Sequence, residues 1–383
     1  MALPTLKERI DEVIDRTIAE KRLVGAVVKV SLDGESVYSH AAGLADREGN
    51  RPMQEDALFR LASVSKPIVS TAALVLVAQG RLRLDDSVHR WLPTFRPRLN
   101  NGDFAEITIR QLLTHTAGLT YRFFQEENGT YEQAGVSDGM DQAGITLEEN
   151  MRRLAAAPLL YTPGTEWKYS IATDVLGAVI EKAAEAPLGE AVRSLVTKPL
   201  AMNDTGFTAV DPERLTAAYA NDMPEPRRMQ DPERVAFLEG TAGFRLSPGR
   251  ALDDTAYPSG GAGMVGSAGD FMLLLEALRK GGAPLLPEHL VREMTTNQIG
   301  ELPMAYWPGR GFGLGFTLLK DPAAASTPES PGTWRMGGTY GHSWFVDPAL
   351  GLSVAAFTNT ALEGMSGLFT EELCEAVYAG VRK

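Results

Sequence analysis

Strand-forming sequence in this chain sits at its two ends, and that constrains the fold more than any other feature. Residues 24–43, VGAVVKVSLDGESVYSHAAG, are valine-rich and alternate in polarity, with a break at Asp33-Gly34 that signals a hairpin turn. Comparable runs return only near the other end, as FGLGFTLL, GTWRMGG, HSWFVD and LSVAAFTN between residues 312 and 359. From about 81 to 250 short helical stretches alternate with loops rich in Pro, Gly, Asp and Asn. The clearest helices there are 172–186 and the segment PLGEAVRSLVTKPL. Helical spacing also marks the first twenty residues (Leu6, Ile10, Val13, Ile14, Ile18), the strongly apolar stretch that follows Ser63 and is capped near Gly80, and LFTEELCEAVYAGV at the end. The economical solution is an α+β fold. One antiparallel sheet is built from the N- and C-terminal segments (1–80 and 251–383) and covered by the terminal helices. Residues 81–250 form a mostly helical second lobe, and a cleft between the two lobes is the expected place for a site.

Composition narrows the function. The formal net charge is −12, so no basic stripe is available to neutralise phosphates and a nucleic-acid partner is not expected. The single cysteine, Cys374, lies in a helical pattern and reads as a buried structural thiol. The five histidines are scattered without metal-ligand spacing, so neither a metal nor another cofactor is expected. No apolar stretch approaches the ~18 residues of a membrane span, and the N-terminal segment reads as an amphipathic helix rather than a secretory leader. Cytoplasm is the expected location.

Two serines compete for the chemistry. Ser137 lies in GVSDG, which matches the Gly-x-Ser-x-Gly elbow of serine hydrolases. An elbow needs a strand before it and a helix after it. The flanks QEENGTYEQAG and DGMDQAG offer neither, so Ser137 reads as loop sequence. Ser63 lies in LASVSKP, a Ser-x-x-Lys pattern with Lys66. Residues i and i+3 on a helix share a face, with Cβ atoms ~5–6 Å apart. A lysine beside an apolar helix loses hydration, its pKa falls, and it can accept a proton from the serine. The start of that helix also offers backbone N–H groups to a developing oxyanion. Ser65, two residues on, faces nearly the opposite side and reads as a hydrogen-bonding helix residue.

Five segments taken in order carry a resemblance: LASVSKP, LLTHTAGL, TPGTEWKYS, YPSGGAGM and GGTYGHSWFVDPALGLSVAAFTNT. They resemble the serine β-lactamase and penicillin-binding-protein superfamily, and within it the class C β-lactamase-like carboxylesterases called family VIII esterases. The resemblance implies a β-lactamase-like fold and a cofactor-free serine carboxylesterase acting on a small-molecule ester through an acyl-enzyme. Acyl transfer to an alcohol or amine, or weak amide hydrolysis at the same site, are the alternatives. It further implies that Ser63 is the nucleophile, with Lys66 hydrogen-bonded to it. Tyr169 is then the tyrosine that helps move the proton, its pKa lowered by the nearby ammonium. Met336, Gly337 and Gly338 stand where the family carries its Lys/His-Thr-Gly strand, so the N–H groups of Ser63 and Thr339 are the expected oxyanion hole. Ile171 replaces an asparagine that would hold a lactam amide, and Met336 replaces a cation that would attract a carboxylate. Both departures favour neutral esters. Trp344, Tyr121, Phe123 and Phe124 are the expected apolar pocket walls, and His342 reads as a structural or rim residue rather than a base.

Overall fold

The computed structural model describes residues 5–382. Its centre is an eight-stranded antiparallel sheet. Three strands come from the start of the chain: β1 Gly25–Leu32, β2 Glu35–Asp46 and β3 Arg51–Pro52. Five come from the end: β4 Arg310–Phe312, β5 Thr317–Leu319, β6 Trp334–Gly338, β7 His342–Asp347 and β8 Leu352–Thr358. The spatial order is β4-β5-β6-β7-β8-β1-β2-β3, so the last strand of the chain pairs with the first. The Asp33-Gly34 turn joins β1 to β2, with both residues at positive φ.

The α+β expectation holds. Every residue of β8 is buried, because alternate side chains enter two separate cores. Val28, Val354 and Ala356 face one cluster that includes Ile10, Ile14, Phe369, Leu373 and Val377. This cluster lies beneath α1 (Leu6–Ala19) and the terminal helix, Leu368–Val381. Residues 1–4 of the expected first helix lie outside the described residues.

The terminal helices cover one face of the sheet. The other face carries a helix at Ala268–Arg279, whose Phe271 packs on Trp344 and Phe357. Its start is set by Ser267, whose side chain accepts from the Asp270 N–H. The middle segment holds Leu147–Ala156, Ala172–Ala184 and several shorter helices, together with two small β-ribbons. Its apolar residues run into the same cluster as the inner face of the sheet. We propose that 81–250 is therefore a lobe of one body rather than a separately cored unit.

The helix that follows Ser63, α2, spans Ser65–Ala78 and is buried from Ser65 through Leu76. Pro67 fits its first turn, where a missing N–H costs nothing. Gly80, at φ +70, ends it.

Candidate active site

A cavity of about 530 Å³ opens beside the first turn of α2. Ser63 lines it from a short 3₁₀ turn, Ala62–Val64, that leads directly into the helix. Ala62 holds φ +45, a left-handed conformation that is strained for alanine and persists only where the surroundings enforce it. One turn along, Lys66 is fully buried. Its Nζ donates to Ser63 Oγ at 3.1 Å and to the Gly261 carbonyl at 2.8 Å. Tyr169 reaches Ser63 from the middle segment, its hydroxyl 2.7 Å from Ser63 Oγ.

Burial sets the electrostatics. It pulls the Lys66 pKa down to about 7, against the opposing pull of Asp174 and Asp138. Asp174 is itself fully buried and its pKa is raised by desolvation, with Ser259 and Lys66 holding it back. Tyr169 departs from expectation. Desolvation pushes its pKa up, and the Ser63 hydrogen bond opposes this only in part. Lys66 Nζ sits over the Tyr169 ring, 4.7 Å from its centroid. Tyr169 therefore keeps its proton, while Lys66 can lose one near neutrality.

Thr339 lines the same cavity just past the end of β6. Gly338 brings it close to the Ser63 turn, and a Cβ at 338 would stand 2.5 Å from the Leu61 carbonyl. Neither the Ser63 nor the Thr339 N–H has a hydrogen-bond partner among the described residues. The site thus brings together a hydroxyl, an amine able to take its proton, a protonated phenol and two N–H groups available to a negative oxygen.

The other expected residues divide. Met336, Gly337, Tyr121, Phe123 and Phe124 line the cavity. Gly338 packs against the Ser63 turn behind it. Trp344 is a correction, because its side chain is fully buried between Phe271 and Phe316 and does not face the cavity. It pairs with Met336 across the sheet and so shares its face, but it lies one strand further in, beneath the 268–279 helix. Met336 stands where β5 no longer pairs with β6, since that pairing reaches only Trp334 and Arg335. Ile171 is fully buried beside Tyr169. His342 Nε2 donates to the Arg60 carbonyl at 2.8 Å as a structural contact, and Ser65 Oγ accepts from the Met264 N–H.

Ser137 is nearly fully buried in a polar knot behind the cavity. Its hydroxyl contacts Asp141 and receives hydrogen bonds from the Tyr257 hydroxyl and the Gly139 N–H. The element that leads into it is a short helix, Thr130–Gln133, and not a strand. Its neighbour Asp138 accepts from the N–H groups of Arg122 and Phe123, and so holds the loop that carries the aromatic wall.

Sequence reasoning missed several contributors. Phe237, Phe244, Tyr306 and Trp307 complete the aromatic wall, although they are far from the motifs in the chain. Asp174 carried a usable signal, since it follows Tyr169 by five residues on an apolar helix. Gly261 acts through its carbonyl, which no side-chain pattern reveals. Arg310 and Arg335 also line the cavity, and both pair with the single carboxylate of Glu329, at 2.6 and 3.3 Å. Among the described residues no cluster of His, Cys, Asp and Glu could hold a metal ion, and no helix is long and apolar enough to cross a membrane.

A family model described as Beta-lactamase matches residues 10–373. The chain is 52% identical over 376 residues to Esterase EstB of Burkholderia gladioli, covering 98% of this chain and 96% of that protein. It is 26% identical over 389 residues to monacolin J acid methylbutanoyltransferase of Aspergillus terreus, covering 89% and 88%. Among solved structures it resembles EstCE1, described as a hydrolase with promiscuous acyltransferase activity. That match has TM-score 0.95 and 45% identity, and covers 97% of this chain and 98% of the other.

Proposed function

The chain belongs to the Beta-lactamase family, and from that membership we propose that it is a serine carboxylesterase hydrolysing short- to medium-chain neutral esters through an acyl-enzyme on Ser63. The observation that carries the reading is the contact of Ser63 Oγ with both Lys66 Nζ and the Tyr169 hydroxyl, at 3.1 and 2.7 Å. Similarity to two proteins named as an esterase and a hydrolase supports the reaction class.

In the proposed sequence the neutral Lys66 amine takes the Ser63 proton as Oγ bonds to the ester carbonyl carbon. The carbonyl oxygen becomes an anion held by the Ser63 and Thr339 N–H groups. The bond to the alcohol then breaks. The leaving oxygen takes a proton from the Tyr169 hydroxyl, and the Lys66 ammonium returns to Tyr169 the proton it took from Ser63. Water repeats the steps in the same order, frees the acid and restores the Ser63 hydroxyl. Lys66 is assigned as first base because burial lowers its pKa while raising that of Tyr169.

Preference for neutral esters is supported by Met336, which lines the cavity at the position where the family pattern carries a cation. A second reading, acyl transfer to an apolar alcohol, is supported by the aromatic wall of Phe123, Phe124, Phe237, Phe244, Tyr306 and Trp307. We place the working location in the cytoplasm.

The test is hydrolysis of p-nitrophenyl esters from acetate to laurate, alongside a chromogenic cephalosporin, by wild type and Ser63→Ala. Ester turnover far above cephalosporin turnover, lost in Ser63→Ala, is expected. Comparable turnover of the cephalosporin would move the reading to amide hydrolysis. Product ratios with added alcohol measure the transferase share.

A further inference from the structure

His115 stands in the LLTHTAGL segment and touches none of the reacting atoms described above. It is nearly fully buried, and its backbone takes φ +57, the left-handed region that a non-glycine residue enters at a cost. That conformation lets the main chain and the side chain of one residue grip the same neighbouring segment. The His115 carbonyl accepts from the Lys168 N–H at 3.0 Å. His115 Nδ1 accepts from the Ser170 N–H at 3.2 Å and lies 3.0 Å from Ser170 Oγ. The residue enclosed between these two anchors is Tyr169.

The ring completes the grip. The His115 and Tyr169 rings are 4.9 Å apart at their centroids, tilted by 44°. Phe312 meets the His115 ring edge-on at 5.1 Å and keeps it from moving away. Lys66 Nζ, Tyr121 and Trp307 bound Tyr169 elsewhere, at 4.7, 5.5 and 5.8 Å from its ring. Because the Ser170 N–H points at Nδ1, that nitrogen is the unprotonated one and the proton is on Nε2. Burial, helped by Lys66, drives the imidazole pKa well below its ordinary value, so the ring stays neutral and remains an acceptor. The two backbone anchors fix where the Tyr169 Cα begins, and the ring contact fixes the direction in which the phenol points.

We infer that His115 is a positioning residue for the reaction: by bracketing Tyr169 between its carbonyl and its Nδ1 and packing against the phenol ring, it holds the Tyr169 hydroxyl on Ser63. This rests on the proposed role of Tyr169 in proton transfer. A displacement of about 1 Å at such a group costs on the order of 100-fold in rate without weakening substrate binding.

The test uses His115→Phe, His115→Asn, Tyr169→Phe and the double variant His115→Phe/Tyr169→Phe, each checked for folding by circular dichroism and melting. His115→Phe keeps an aromatic ring but loses the Nδ1 acceptor, and should lower kcat by about tenfold or more with KM nearly unchanged. Asparagine adopts the left-handed backbone readily and offers Oδ1 to the Ser170 N–H, so His115→Asn should recover part of that loss. In the Tyr169→Phe background, His115→Phe should cost little more, because the two act as one unit. The inference is overturned if folded His115→Phe keeps the wild-type kcat, if the Asn variant is no faster than the Phe variant, or if His115→Phe costs as much without the Tyr169 hydroxyl as with it. A Tyr169→Phe variant with wild-type kcat would instead overturn the proton-transfer role on which the inference rests.

Discussion

Gly338 lies so close to Leu61 that a Cβ at 338 would stand 2.5 Å from the Leu61 carbonyl oxygen. This backbone-to-backbone approach brings the end of β6 against the turn that carries Ser63, and sets how far the Thr339 N–H stands from Ser63. Gly338→Ala must open that gap, since no flexible side-chain end is there to yield. We predict a folded protein with kcat lowered by about 10- to 100-fold and a smaller change in KM, read from steady-state ester hydrolysis.

The buried amine predicts the acid side of the pH profile. Lys66 must be neutral to accept the Ser63 proton, and burial brings its pKa to about 7. The free-enzyme profile of kcat/KM should therefore rise with pH through neutrality and fall toward tenfold per pH unit below it. Tyr169 should contribute no descending limb near pH 8, because burial raises its pKa. Lys66→Ala should remove the acid limb and lower kcat by about 10²- to 10⁴-fold.

Ser137 should matter to stability and not to turnover. Its hydroxyl joins Asp141, Tyr257 and the Gly139 N–H inside a buried knot. Ser137→Ala leaves those groups short of a partner and should cost about 1–3 kcal/mol in denaturant unfolding. Ester turnover at a temperature where the variant is folded should stay within about twofold of wild type.

Trp344 and Phe123 should separate core from wall. Trp344→Ala empties a fully enclosed site between Phe271 and Phe316 and should cost about 3–5 kcal/mol without a shift in chain-length preference. Phe123→Ala widens the cavity and should move the p-nitrophenyl ester optimum toward longer acyl chains.

The sheet and the reacting groups were legible because each left a local signature. The β1–β2 hairpin showed its alternation and turn, and Ser63 and Lys66 sit one helical turn apart. Tyr169 needed the family pattern, since nothing local separates it from a core tyrosine. The expectation for Trp344 fails because its position on a strand sets the face its side chain occupies but not what covers that face. The cover is the 268–279 helix, through Phe271. Phe237, Phe244, Tyr306 and Trp307 reach the cavity only through the three-dimensional course of their loops. The Tyr169 pKa is raised chiefly by burial of its hydroxyl, which the spacing of residues in the chain does not contain.

The most direct test of the account is to trap the covalent intermediate. Wild-type protein is mixed with p-nitrophenyl acetate, quenched in acid within the first turnovers, and mapped by peptide mass spectrometry. The account predicts one acetyl group on Ser63, present in Ser137→Ala and absent from Ser63→Ala. Acetyl on Ser137, or full turnover by Ser63→Ala, would contradict it.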